Sequence, residues 1–173
     1  LGMIAALEAV KSSELQINES NSHDIGVEIG SGIGGIEILE QTANTLKDSG
    51  PARISPFTVP MMIADMASGL IAIKTGAKGP NACTVTACAS SADAIGKAYR
   101  IIERGDAFAM ITGGAEACIT PVGLGSFCAA RSLSTNPDPE LACKPFDKNR
   151  DGFVMGEGAG VLILEEYEYA KKR

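Results

Sequence analysis

Tryptophan is absent from this sequence, histidine occurs once, and aromatic residues make up only 5% of its 173 positions. A core with so few rings has to close on small and aliphatic side chains. The 20 glycines point the same way, toward tight turns and close approach of helices to a sheet. A formal net charge of −6 argues against non-specific nucleic-acid binding, which rests on neutralising phosphates, and no run of Lys or Arg changes that. There is no stretch of about 18 apolar residues and no charged-plus-apolar leader, so neither a membrane helix nor a signal peptide is expected. The cysteines (Cys83, Cys88, Cys118, Cys128 and Cys143) are odd in number and lack CxxC spacing. They read as reduced thiols of a cytoplasmic protein, buried apart from Cys88, with no disulfide, metal or cofactor expected.

What is present suits one α/β domain over residues 1–173: 45% hydrophobic and 21% charged residues, enough for a real core. The pattern opens mid-helix at Leu1 and closes on a helix just beginning after Glu165. Both ends are therefore expected to be cut within helices, leaving apolar surface uncovered. In between, the periodicity predicts a strand over 25–30, a glycine turn, and a helix over 36–46. Ser55-Pro56 then opens one helix to Thr75 as a serine cap followed by proline at the first helical position. Asn81–Ala87 is β-branched and small and reads as a buried strand. Residues 107–112 and 161–164 read as further buried strands, 122–130 as a short helix, and Arg131–Asp151 as a long loop of the kind that is usually functional. Helices alternating with apolar strands give a covered, largely parallel sheet with helices on both faces.

The organising stretch is Asn81–Gly105. From Cys88 onward Ala92, Ile95, Tyr99 and Ile102 recur at helical steps, and Gly105 stops the pattern. Cys88 thus falls where a strand turns into a helix, next to the positive end of the helix dipole, a position that favours the thiolate and hence a nucleophile. A small cysteine at a close-packed turn is the structural alternative. Gly30-Ser31-Gly32-Ile33-Gly34-Gly35 matches the G-x-G-x-x-G dinucleotide fingerprint after a strand and before a helix. The acidic residue that the fingerprint needs about 20 residues later is missing, because that region is Ser49-Gly-Pro-Ala-Arg-Ile-Ser-Pro. His23, the only imidazole, lies in a polar loop with nothing to bring it to Cys88.

Four motifs in order carry a resemblance: Thr86-Ala87-Cys88-Ala89-Ser90-Ser91, Gly113-Gly114-Ala115-Glu116, Ala129-Ala130-Arg131-Ser132-Leu133-Ser134, and Pro145-Phe146-Asp147-Lys148-Asn149-Arg150-Asp151-Gly152-Phe153-Val154. Together they resemble the β-ketoacyl-acyl carrier protein synthases, the elongating condensing enzymes of fatty-acid synthesis. The resemblance covers essentially the whole chain and implies part of the N-terminal half of a thiolase-like fold, usually a homodimer. It implies Cys88 as the acyl-accepting nucleophile, with its own N–H as one donor of an oxyanion hole. Ile33 and Phe127 are implied as walls of an acyl-chain pocket, and Arg131 as a basic contact for acyl carrier protein, loaded with acyl or malonyl groups. Asp147, Arg150 and Asp151 are expected to brace the loop. The family's two histidines and lysine, its second oxyanion donor and its second half have no counterpart in this sequence. Two other readings stand beside the enzyme: a nucleotide-binding module built on Gly30–Gly35, and a non-catalytic partner subunit, against which the presence of Cys88 counts.

Overall fold

A computed structural model describes all of residues 1–173. Its centre is a four-stranded sheet in the order β2-β1-β3-β4, formed by β1 (Ile25–Gly30), β2 (Asn81–Ala82), β3 (Ala109–Glu116) and β4 (Gly158–Glu165). The first three run parallel, and β4 joins β3 antiparallel, Ala109 pairing with Glu165 and Glu116 with Gly158. The sheet is therefore mixed and mostly parallel. Helices α1 (Gly2–Ser13), α2 (Ile36–Ser49), α3 (Thr58–Met62), α4 (Met66–Thr75), α5 (Ser90–Glu103), α6 (Pro121–Ala129), α7 (Pro139–Ala142) and α8 (Tyr167–Lys172) complete the chain.

Strand alternation divides the sheet into two unlike faces. Ile25, Val27 and Ile29 of β1 and Ala109 and Ile111 of β3 meet Ala6, Leu15 and Ile71 in one buried cluster beneath α1 and α4. Each fully buried aliphatic side chain there contributes about 1.5–3 kcal/mol. On the other face both strands reach glycine toward their C-terminal ends. In register, Gly30 of β1 lies beside Gly114 of β3, and α5 settles there on Ala94 and Ala98, both fully buried. A Cβ added at Gly30 would collide with the Ser90 carbonyl, and one at Gly114 would stand 2.5 Å from the Ser91 Cβ. The first turn of α5 rests on bare backbone.

Several expectations need correction. The helix expected from Ser55 to Thr75 is two helices, because the chain turns extended at Ile63 and the Met62 carbonyl accepts the Gly35 N–H at 2.9 Å instead of a bond from its own helix. The strand expected over 81–87 pairs for two residues only. Past Ala82 the ladder gives way to single links, the Thr84 carbonyl accepting from Ser31 N–H and the Thr84 hydroxyl donating to Glu28 at 2.6 Å. It is an edge and mostly exposed, with Val85 56% accessible. The last strand is also an antiparallel edge rather than buried. On α5 the buried stripe is Ser90, Ala94 and Ala98, whereas Ala92 and Tyr99 face outward.

Only 30 of 173 residues are buried, and the accessible surface is 10705 Å². A compact monomer of 17.8 kDa exposes about 8,000 Å² by the usual scaling, so roughly a third more surface is open. Much of it is apolar: Phe57, Val59, Met61 and Ile63 around α3, and Leu70 and Ile73 on α4.

The glycine contact yields a sharp expectation. Gly30→Ala should destabilise the chain by about 1–3 kcal/mol through overpacking against backbone. Gly96→Ala, in open space within α5, should stabilise it by up to about 1 kcal/mol through helix propensity. Urea unfolding of both variants decides this, and equal effects would mean that α5 is free to lift off the sheet.

Candidate active site

The close approach of α5 fixes the turn before it. Ala87–Ala89 forms a single 3-10 turn leading into Ser90, and Ala87 adopts φ 52, a left-handed conformation that costs a non-glycine residue about 1–3 kcal/mol. Ser90, 3% exposed, holds that turn shut. Its hydroxyl accepts from the Thr86 N–H at 2.9 Å and donates to the Ala87 carbonyl at 2.7 Å. Cys88 sits between these clamps with an exposed, free thiol. No side chain caps α5, so the positive end of its dipole is left open near Cys88. The Cys88 N–H enters none of the turn's hydrogen bonds and remains available as a donor.

Cys88 opens on a largely apolar cleft of about 520 Å³. Ile33 and Phe127 line the same cleft, together with Phe153 and Glu116. Phe127 and Phe153 meet edge to face at 5.7 Å, an arrangement that rings favour. Three of the four residues singled out from the sequence, Cys88, Ile33 and Phe127, therefore share one cavity. Arg131 does not line it. It follows α6 as an exposed residue with φ 53, on the loop whose far end supplies Phe153. His23 lies before β1, at the opposite end of the strand from Gly30, roughly 20 Å away by strand rise.

Glu116 was singled out only as part of a motif, and the structure gives it a position of its own. It ends β3, and its carboxylate accepts from Gly32 N–H at 2.7 Å, Ile33 N–H at 3.0 Å and the Ser31 hydroxyl at 3.2 Å. Gly113 and Gly114 lie alongside Ile29 and Gly30 in the sheet, so an acid two residues later is bound to reach the glycine turn. That geometry also answers the nucleotide reading. The backbone N–H groups that would cradle a phosphate already hold a carboxylate. Glu28, 2% exposed, is a second acid that the apolar pattern of β1 hides.

The remaining thiols differ from what was expected in one respect. Cys128 and Cys143 are exposed rather than buried, because α6 and the following loop carry little of the core, and Cys83 is only half-buried. Burial above all pushes the Cys83 and Cys118 thiols up, and nearby carboxylates add to it, which weakens both as nucleophiles. The bracing of the loop comes from hydrogen bonds. Asp151 accepts from the Ser134 hydroxyl at 2.7 Å and the Thr135 N–H at 3.0 Å, bonds that hold its carboxyl below the ordinary range. Arg150 donates to the Asp147 carbonyl at 2.9 Å.

Comparison with known proteins gives one consistent result. Residues 1–170 match the model of the beta-ketoacyl synthase, N-terminal domain. The chain is 57% identical over 171 residues to 3-oxoacyl-[acyl-carrier-protein] synthase 2 of Staphylococcus aureus, covering 99% of this chain and 42% of that protein. It is 58% identical over 170 residues to the Synechocystis protein of the same name, covering 98% and 41%. It thus spans well under half the length of these relatives. Among solved structures it resembles a chain of a complex described as a type II PKS acyl-carrier protein in complex with its ketosynthase bound to the hexaketide (TM-score 0.91, 32% identity, 99% of this chain and 44% of the other). A beta-ketoacyl synthase from Burkholderia phymatum is similar too (TM-score 0.89, 34% identity, 99% and 42%). The fold is thiolase-like.

If Ser90 clamps the nucleophile turn, Ser90→Ala should leave two backbone groups unpaired. The expected cost is about 1–3 kcal/mol, seen as a lower Tm, together with a changed iodoacetamide rate at Cys88 and an unchanged one at Cys143. Peptide-resolved mass spectrometry reads both rates. Identical labelling at Cys88 would count against the clamp.

Proposed function

The chain belongs to the beta-ketoacyl synthase family, matching its N-terminal domain, and from that premise we propose that it is the nucleophile-bearing part of a condensing enzyme of fatty-acid elongation. The observation that carries this reading is Cys88 opening, with Ile33 and Phe127, on one apolar cleft at an uncapped helix start. The partner protein is acyl carrier protein, loaded first with an acyl and then with a malonyl group. The Cys88 thiolate attacks the acyl thioester carbonyl and a new S–C bond forms. The alkoxide is met by the Cys88 N–H, and the carrier's thiolate leaves as the intermediate collapses. The apolar chain then lies against Ile33 and Phe127. In the second half-reaction the malonyl group loses carbon dioxide, its α-carbon attacks the acyl-cysteine carbonyl, and the Cys88 thiolate is released.

The two halves make unequal demands. Acylation needs a thiolate and oxyanion donors, and this chain supplies the first and one of the second. Decarboxylation needs groups that polarise the malonyl thioester and stabilise its enolate, and no residue on the cleft wall suits that task. Losing one of two oxyanion donors costs about 2.7–4 kcal/mol. The 173-residue chain should therefore be acylated at Cys88 roughly a hundred- to a thousandfold more slowly than the full-length enzyme, and should release no carbon dioxide from malonyl-carrier protein. Mass spectrometry after incubation with acyl-carrier protein, beside a labelled-malonyl assay, tests both. Cys88→Ala should abolish the acyl adduct. Arg131→Glu in the full-length protein should raise KM for the carrier-bound acyl group and leave acylation by free acyl-pantetheine alone. Carbon dioxide release that survives Cys88→Ala would place the active site elsewhere.

The working unit is a homodimer joined along the β2 edge. Residues 81–87 leave backbone and Val85 open at a sheet edge, the kind of strand that proteins cover by pairing. Val85→Glu in the full-length protein should weaken the dimer at least tenfold, roughly 1.4 kcal/mol, by sedimentation equilibrium. An unchanged dimer constant would sink the assignment.

A further inference from the structure

Resting on the reading that Cys88 takes an acyl group, we propose that Glu116 is a positioning residue that sets the length of chain the cleft accepts, by pinning Ile33. The Ile33 N–H has Glu116 as its partner, at 3.0 Å, and the Gly32 N–H the same carboxylate oxygen, at 2.7 Å. The other oxygen takes the Ser31 hydroxyl, which itself accepts from the Gly34 N–H at 3.2 Å. One carboxylate thus organises three successive peptides. The segment is bracketed by two anchors that do not involve Glu116: the Ser31 N–H on the Thr84 carbonyl and the Gly35 N–H on the Met62 carbonyl. Loss of the carboxylate frees residues 32–34 and leaves both ends tied.

What rides on that segment is a cleft wall. Ile33 is 40% exposed and stands in the cavity that holds Cys88, Phe127 and Phe153. An isoleucine on a pinned backbone narrows the cavity by a fixed amount, and a long chain has to displace it. Bonds to an ionised acceptor are roughly twice as strong as neutral ones, so the pin resists that displacement. Glutamine keeps the volume of the side chain but removes its charge: its Oε1 can still take the two N–H groups and its N–H₂ can donate to the Ser31 hydroxyl, so the contacts remain only as weaker, neutral bonds.

The test uses the full-length protein and reads Cys88 by peptide-resolved mass spectrometry, with exposed Cys143 as the reference thiol. The probes are N-ethylmaleimide and N-octylmaleimide, to which the thiol adds across the ring double bond, and butanoyl and tetradecanoyl thioesters of pantetheine. In Glu116→Gln the long-to-short rate ratio at Cys88 should rise about tenfold, the ratio at Cys143 should stay constant, and amide exchange should quicken at residues 32–34 only. Glu116→Asp, which keeps the charge, should move the ratio back toward wild type. A ratio unchanged in Glu116→Gln, or rates that fall in parallel for both tails, overturns the proposal. Should that variant fail to fold, Ser31→Ala removes one of the bonds and should raise the ratio about threefold; no change there overturns it equally. If the maleimide ratio shifts while wild-type protein takes no acyl group from either thioester, the acyl reading of Cys88 falls and the pin stands.

Discussion

The contact between the first turn of α5 and the bare backbone of β1 and β3 governs this structure. Gly30 and Gly114 lie side by side in the sheet, and neither tolerates a Cβ without striking Ser90 or Ser91. That contact depends on register. A one-residue slip between β1 and β3 would turn Ile29 or Gly113 toward α5 and put a side chain or the wrong spacing beneath the helix. It also dictates where Cys88 stands. The turn Ala87–Ala89 has to connect an edge segment to a helix pressed against the sheet, and it does so with Ala87 in a left-handed conformation held by two bonds to Ser90. The strain at Ala87 and the burial of Ser90 are two views of one packing requirement.

Two carboxylates finish what the sheet leaves open. β2 is too short to satisfy the whole edge of β1, and the buried Glu28 reaches across to the Thr84 hydroxyl where the ladder stops. At the other border of β1 the strand ends in a glycine turn whose N–H groups converge. A nest of that kind attracts an anion, and Glu116 supplies one from the end of β3. The same three glycines that resemble a dinucleotide fingerprint therefore perform a different task. Within that turn the Gly32 and Ile33 N–H groups hold the Glu116 carboxylate, organising a wall of the cleft from inside the protein, and no phosphate is needed to complete them.

The elements legible in the sequence are those whose pattern is set by local chemistry. The strand at Ile25–Gly30, the glycine turn after it, the helix entered at Ile36 and the thiol at a strand-to-helix junction all follow from side-chain type and spacing. What was not legible depends on neighbours far along the chain. The break at Ile63 exists because Gly35 takes a carbonyl from α3. The buried stripe of α5 is Ser90, Ala94 and Ala98, small residues chosen by the flat glycine surface below, while Tyr99, part of the hydrophobic period, turns away from it and Ile95 is only half-buried. Apolar period marks which face wants cover and does not say that the same chain provides it. Cys128 and Cys143 were misread for a similar reason, since apolar neighbours along the chain did not become apolar neighbours in space. Glu116 could have been found: an acid closing an apolar strand next to a parallel strand that ends in glycines has few places to go.

The distribution of exposed apolar surface carries the argument one step further. Val85 on the β2 edge, Tyr99 on the outer side of α5 and the row from Phe57 to Ile63 around α3 are all open, whereas the face under α1 and α4 is closed by a continuous aliphatic core. Phe146 is 99% exposed on a backbone with φ 67, a left-handed conformation that costs a non-glycine residue about 1–3 kcal/mol. The cleft behaves in the same one-sided way. Its wall carries a nucleophile, a free N–H and an acid already engaged with its own backbone, but no imidazole or ammonium faces Cys88. Under the reading proposed for Cys88, a wall with a nucleophile and an incomplete set of charge-stabilising groups suits transfer to sulfur. Under the proposed reading, a carbanion formed in the second half-reaction finds no group on this wall to stabilise it.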